Sequence, residues 1–228
     1  FKQKTAYEML RSLVGSEMCI RDRLEEGELS SFNNKLKQKP FIALIVGKRG
    51  GGKTALGFRI MENAYVASKR KCFALNFPNH SLPGWIKHAS AFDEIPNNSI
   101  VIIDEAGIQF SSRRSMTKNA LDLNNILVIA RHKKLSMVII TQNSAIVDVN
   151  ILRQIDTLFM KKPSLLQKEM ERNFLRELYG KKEDYFKKFK DYPPESLFYI
   201  LDDDLKAFAS FDLPSFWHEN ISTSWKKA

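Results

Sequence analysis

The octapeptide Gly47-Lys48-Arg49-Gly50-Gly51-Gly52-Lys53-Thr54 fits the G-x-x-x-x-G-K-[ST] spacing of a phosphate-binding loop. An apolar run, Phe41-Ile42-Ala43-Leu44-Ile45-Val46, leads into it, and Ala55-Leu56-Gly57-Phe58-Arg59-Ile60-Met61 leads away. A buried strand, a glycine loop and a helix in that order are the context that gives the motif meaning. Glycines let backbone N–H groups turn inward around a β-phosphate at a helix N-terminus. Lys53 is then placed to reach the β- and γ-phosphates, and Thr54 to ligate Mg²⁺ through its hydroxyl. All eight residues, 47 to 54, are assigned to nucleotide binding, with a nucleoside triphosphate and Mg²⁺ as the implied ligands.

Upstream of the loop the sequence changes character. Lys2 to Glu8 and Leu13 to Asp22 read as translated sequencing adapter, with a short index around Met9-Leu10-Arg11. The alternative for this stretch is an amphipathic lead helix. Residues 1–23 are therefore set aside from fold reasoning, and the true N-terminus is left open. Residues 24–40 are polar and read as a leading arm or linker. The domain proper is assigned to 41–228, with a motif-bearing core at 41–160 and a basic C-terminal extension at 161–228.

From Phe41 onward, strand-like and helix-like segments alternate, the mark of a parallel sheet covered by helices on both faces, a three-layer α/β domain. Cys72–Leu75, Ile100–Ile103, Met137–Ile140 and Thr157–Met160 are short apolar runs suited to buried strands. A Pro/Gly/Asn-rich loop is expected up to Asn98, and a helix from about 118 to 133. A basic helix with Leu166, Met170 and Phe174 at four-residue spacing follows. Leu197–Ile200 and Ala207–Phe211 flank Asp202-Asp203-Asp204 as a hairpin.

The formal charge is +10, and removing residues 1–23, with five basic and three acidic residues, leaves +8. Such an excess favours nucleic acid or anionic surfaces as partners. Cys19 lies in the adapter-like stretch, so Cys72 stands alone, which excludes a disulfide framework and is compatible with an intracellular setting. The four histidines show no metal-ligand spacing, and no run is long and apolar enough to span a membrane.

Ile100-Val101-Ile102-Ile103-Asp104-Glu105 is an apolar strand ending in two carboxylates about fifty residues after the loop. Asp104 is expected to hold Mg²⁺ through water and Glu105 to polarise the attacking water. Thr141-Gln142-Asn143 ends a further strand, and ligands gather at the carboxyl ends of strands in open parallel sheets. Gln142 is read as a γ-phosphate sensor or water-orienting group, or as a polar strand-end cap. Arg131 and His132 close the preceding helix. Arg131 is either a macrodipole partner or an arginine finger reaching a neighbouring subunit, and Arg113 and Arg114 compete for that role or for DNA contact.

These motifs together resemble the FtsK–HerA superfamily of P-loop ATPases. The residues that carry the likeness are Gly47–Thr54, Ile102–Gly107 with Phe110 and Arg113, Ala130-Arg131-His132 and Ile139–Gln142. Within the superfamily the pattern is similar to the N-terminal ATPase domain of zonular occludens toxin, to filamentous-phage assembly proteins, and to packaging ATPases of tailless DNA viruses. The resemblance covers about residues 41–160. It implies a RecA-like sheet, ATP as nucleotide, a homo-oligomer in the form of a hexameric ring, and movement of DNA during packaging or virion assembly. Capsid or assembly proteins become partners by the same analogy. The implied location is the host cytoplasm or the virion, with peripheral membrane association as a variant. One departure matters: assembly proteins of the zonular occludens type continue into a membrane helix, absent after Phe159, so the frame is either truncated or encodes a soluble packaging-type motor. A nucleotide-gated assembly factor that moves no DNA is the alternative from another class. Lys161–Lys190, with ten basic and five acidic residues, suits a DNA-facing surface or an ordinary solvated helical face.

Overall fold

Ile42–Val46 forms strand β2, and all five residues are buried. A strand sends alternate side chains to opposite faces, so an unbroken apolar run requires cover on both sides. Ala43 and Ile45 enter one core with Leu56, Phe58 and Ile60, while Ile42, Leu44 and Val46 enter a second with Ile126, Leu127 and Ala130. Helices on each face of one sheet satisfy both demands.

The computed structural model describes residues 23–27, 29–38, 40–75, 77, 82–104, 123–142, 149–164, 173–189, 192–218 and 221. Besides β2, the strands are β1 Arg23–Gly27, β3 Cys72–Leu75, β4 Ile86–Ala89, β5 Ile100–Asp104, β6 Ser136–Thr141, β7 Thr157–Met160, β8 Leu197–Asp202 and β9 Leu205–Ser210. The helices are α1 Leu29–Gln38, α2 Lys53–Ser68, α3 Leu123–His132, α4 Val149–Leu152 and α5 Asn173–Lys188. The strands make one sheet in the order β1-β9-β8-β7-β2-β6-β5-β3-β4. From β7 to β4 all neighbours are parallel. The three strands beyond β7 are antiparallel additions. The result is a three-layer α/β fold with a RecA-like, mainly parallel sheet.

Helix α2 lies close on this sheet. A Cβ on Gly57 would come within 2.9 Å of Ile102 Cδ1 and 3.0 Å of Ile140 Cδ1. The missing side chain lets the helix axis approach β5 and β6, which fixes where the glycine loop at its start can sit.

Several segments differ from their sequence expectation. The 24–40 stretch, read as an arm, carries a strand and a helix. Among the described side chains of α1, Phe32 and Leu36, one turn apart, reach the core, and Phe32 meets the Phe159 ring edge-on at 5.8 Å. Leu29, Phe32 and Leu36 recur at i, i+3 and i+7, so a short helical period is present in this polar stretch. The adapter-like reading of residues 1–22 lies outside the described residues, and Arg23, its last residue, begins β1. The expected loop before Asn98 contains β4 and a 3₁₀ turn at Phe92–Glu94. Strand β4 carries a weak sequence signal because it is an edge of four residues with Lys87 exposed in its middle. Leu166, Met170 and residues 118–122 lie outside the described residues. On α5 the buried face is Leu175, Tyr179 and Phe186, whereas Phe174 is 50% exposed. The apolar stripe is therefore one residue out of step with the expected one. The hairpin of β8 and β9 forms as expected.

Asp202 ties the first and last parts of the chain together. Its buried carboxylate accepts from Lys35 Nζ on α1 at 2.9 Å at each oxygen and from the Thr157 hydroxyl on β7. Replacing Asp202 with Ala leaves both donors facing a largely dry site and is expected to cost about 2–4 kcal/mol. Urea unfolding checks this, and an unchanged midpoint would show that α1 is not anchored through this carboxylate.

Candidate nucleotide site

The site is built at the carboxyl edge of the parallel strands. Register places Val46 beside Thr141 and Met160, and Ile140 beside Asp104. Four strand ends, those of β7, β2, β6 and β5, thus stand in a row, and β6 separates the loop-bearing strand from the Asp104 strand. Open parallel sheets bind ligands at this edge.

The loop begins where β2 stops. Gly47, Gly50 and Gly52 take φ values of 146°, 70° and 78°, a range that side chains disfavour. The Lys48 carbonyl accepts from Gly51 N at 3.2 Å and from Lys53 Nζ at 2.8 Å, closing the turn on itself. Helix α2 starts at Lys53 with Gly52 as N-cap, and no side chain caps its first turn. First-turn N–H groups that are not capped by a side chain, reinforced by the helix dipole, make an anion site.

Lys53 is buried and Thr54 partly buried, while Lys48 is partly exposed and Arg49 and Gly50 are open to solvent. Thr54 Oγ1 lies 3.5 Å from Asp104 Oδ2. A hydroxyl and a carboxylate converging from two elements form a set of hard oxygen donors, which fits Mg²⁺ and leaves room for phosphate and water oxygens. No cluster of three or more His, Cys, Asp or Glu residues that could hold a metal on its own occurs among the described residues. Such an ion would depend on its ligand's phosphates for the rest of its shell.

Gln142 follows β6 directly and is exposed at the same edge, between the strand of Gly47 and the strand of Asp104. Arg131 is elsewhere. It ends α3, whose connection leads into the start of β6, so it stands at the opposite edge of the sheet from its own glycine loop. Its Nη2 donates to the Gln154 carbonyl at 2.9 Å. Within one chain Arg131 and Lys53 are not brought together. Glu105, Arg113 and Arg114 lie outside the described residues.

The fold also brings in residues that no motif announced. Lys161, directly after β7, is buried against Gly47, and the Glu195 carbonyl stands over Gly52. The one available signal was position: Lys161 is a cation at the end of an apolar strand, like Asp104 is an anion.

A Cβ at Gly52 would lie 2.5 Å from the Glu195 carbonyl oxygen. Backbone does not yield as a flexible side chain does, and φ at this position is also unfavourable for L-residues. Gly52→Ala is expected to distort the loop and weaken nucleotide affinity by about a hundredfold, roughly 2–3 kcal/mol of strain passed to the site. Titration with a fluorescent nucleotide measures it; Gly50→Ala, where nothing lies within 4 Å, should lose less.

Comparison with known proteins agrees with this architecture. A family model described as zonular occludens toxin (Zot) matches residues 79–162. No curated protein sequence matches the chain. Among solved structures, the DNA-packaging ATPase of Sulfolobus turreted icosahedral virus is similar with a TM-score of 0.51 at 14% identity, over 77% of this chain and 100% of that one. The genome packaging NTPase of Sulfolobus turreted icosahedral virus 2, in complex with ATP-gammaS, gives 0.51 at 16% identity over 76% and 98%. The pCW3 conjugation coupling protein TcpA, monomer form with ATPgS, gives 0.54 at 12% identity over 95% and 72%. At these identities the likeness establishes the P-loop NTPase fold.

Proposed function

We propose that this chain is an ATP-hydrolysing motor of a virus or phage that moves DNA during genome packaging or virion assembly. The observation that carries the proposal is the convergence at one sheet edge of the glycine loop, Lys53, the Thr54–Asp104 pair and Gln142. The Zot match and the viral packaging neighbours support the choice of motor within the many uses of this fold. The formal charge, +10 over the whole sequence and +8 without residues 1–23, suits a polyanionic track.

In this reading the loop's backbone N–H groups and the start of α2 bind the β-phosphate. Lys53 turns from the Lys48 carbonyl toward the β- and γ-phosphates and neutralises them. Thr54 and Asp104 hold Mg²⁺, which when bound offsets phosphate charge. Glu105, the residue after Asp104, takes a proton from the attacking water, and Gln142 orients that water or senses the γ-phosphate. Lys53→Ala should abolish nucleotide binding or turnover. Glu105→Gln should bind nucleotide and fail to hydrolyse it, read by phosphate release alongside nucleotide affinity. Normal turnover by the Glu105→Gln protein would remove Glu105 from the mechanism.

DNA-stimulated phosphate release that drops steeply with salt is the test of a motor, because phosphate contacts are lost as salt rises. Turnover indifferent to both single- and double-stranded DNA would favour the second reading, a nucleotide-gated assembly factor. The Zot match gives weight to a filamentous-phage extrusion role as a variant of the motor. No helix among the described residues is long and apolar enough to cross a membrane. A motor of this kind works in the host cytoplasm or on the virion.

The oligomer is a ring, hexameric by analogy, and it answers a gap in the single chain. Charge develops on the transferred phosphoryl group, and an arginine from a neighbour contributes several orders of magnitude in such sites. Arg131 stands at the edge away from its own loop, so it can serve only a neighbour; Arg113 and Arg114 are the alternatives. Mixing inactive Lys53→Ala subunits with inactive Arg131→Ala subunits should restore part of the activity. A dead mixture, with recovery in the Arg113 or Arg114 pairing, moves the finger to that loop. A monomer with full, concentration-independent turnover removes the shared site.

A further inference from the structure

Lys161 is fully buried, and its route through the structure follows the glycine loop. Its backbone N–H donates to the Val46 carbonyl at 2.9 Å, which sets it beside the last residue of β2. A Cβ at Gly47 would lie 2.6 Å from Lys161 Cβ, and one at Gly51 3.9 Å from the same atom. The ammonium ends 2.5 Å from the Glu195 carbonyl and 4.7 Å from the centre of the Phe211 ring. The carbonyl that Lys161 holds is the same atom that packs against Gly52. One side chain therefore touches the start of the loop and fixes the group that presses on its end.

Among the described residues no carboxylate forms an ion pair with Lys161. A buried cation held by a carbonyl and an aromatic face costs stability that a methionine of similar length would not. A cost of that kind at the wall of a binding site points to a use there. We propose that Lys161 is a positioning residue of the nucleotide site, bracing the loop against the Glu195 turn and placing a second positive charge behind Lys53. The inference rests on the reading of this loop as a nucleotide site.

Among the described residues, few charges face Lys161. Its pKa is lowered to about 7, chiefly by burial; the Glu195 carboxylate in the turn before β8 opposes that shift and the Lys53 ammonium on the loop adds to it, while Phe211, after β9, contributes a neutral ring. Free protein above pH 7 thus holds Lys161 increasingly as the neutral amine. A polyphosphate on the loop adds negative charge nearby and favours the ammonium. The bound state then has the higher pKa, so nucleotide binding takes up a proton, and affinity is greatest below about pH 7 and declines as pH rises through it. Folding has the opposite slope. The folded pKa lies below that of an unfolded lysine, so Lys161 destabilises the fold most below pH 7, and the penalty is relieved as pH rises from about 7 toward the ordinary lysine value.

Calorimetric titration of ATPγS with Mg²⁺ at pH 8, in two buffers of different ionisation enthalpy, reads the proton directly without requiring turnover. Wild-type protein should take up a substantial fraction of a proton, at most one per site, and Lys161→Met correspondingly less. The variant's affinity at pH 7 should fall about tenfold, the equivalent of one pKa unit of coupling. Lys161→Met should also melt no lower than wild type at pH 7, because the buried cation is gone. Equal proton uptake by wild type and variant overturns the proposal, as does unchanged affinity in the variant. If the variant fails to fold, wild-type protein alone decides: affinity that does not weaken between pH 7 and 8.5 overturns it, and weakening with proton uptake sustains it. Failure of wild-type protein to bind ATPγS at any pH defeats the nucleotide reading itself, a separate outcome.

Discussion

The close approach of backbone to backbone around the glycine loop is the constraint on which the rest of the site depends. Gly47 stands where a side chain would strike Lys161, and Gly52 where one would strike the Glu195 carbonyl. Phosphate binding explains why a loop needs N–H groups turned inward. It does not explain these contacts, which face the protein. The glycines serve two surfaces at once: one left open for a ligand, the other pressed against the strand ends and the turn before β8.

That pressing makes the last part of the chain a wall of the site. Strands β8 and β9 extend the sheet beyond β7 with antiparallel pairing, and the turn before β8 lies on the loop. The same hairpin holds Asp202, which reaches Thr157 and Lys35. Further along, Ser215 N donates to Glu62 of α2 at 3.1 Å, and Phe216 packs edge-on against Phe58 at 5.7 Å. Helix α2, which begins at the loop, is therefore held at its start and along its middle by residues more than a hundred positions away. Rigid supports of this kind are what hold a binding loop in productive geometry.

Charge is distributed with the same economy. Lys53 folds back on the Lys48 carbonyl of the loop, Lys161 is buried beside Gly47, and Asp104 on β5 faces Thr54. Strand β2 divides its residues between two cores, and so do β5 and β6. Placing β6 between the loop strand and the Asp104 strand leaves Gln142 in the gap, within the edge where a γ-phosphate and its water would lie. Arg131, at the other end of the sheet, donates to the Gln154 carbonyl instead.

The local signals in the chain were strong wherever a short stretch carries its own physical demand. Gly47–Thr54 needs a particular backbone path, Ile42–Val46 and Ile100–Ile103 need burial on both faces, and Asp202-Asp203-Asp204 needs a turn; each could be read from neighbouring residues alone. Strand β4 could not, because it is four residues at the sheet edge whose Ile86 meets partners far away in sequence; helix α1 carries a helical period in Leu29, Phe32 and Leu36, but only the tertiary structure shows Phe32 and Leu36 docking in the core. The one-residue offset on α5, Phe174 for Leu175, has a tertiary origin, since the sheet beneath selects which stripe faces in. Lys161 is the sharpest case. Nothing in Met160-Lys161-Lys162 distinguishes one lysine from the next; parallel pairing of β7 with β2 buries the first beside Gly47 and leaves the second exposed. Periodicity and motif spacing are properties of a segment, whereas burial of a charge beside a distant loop is a property of strand order.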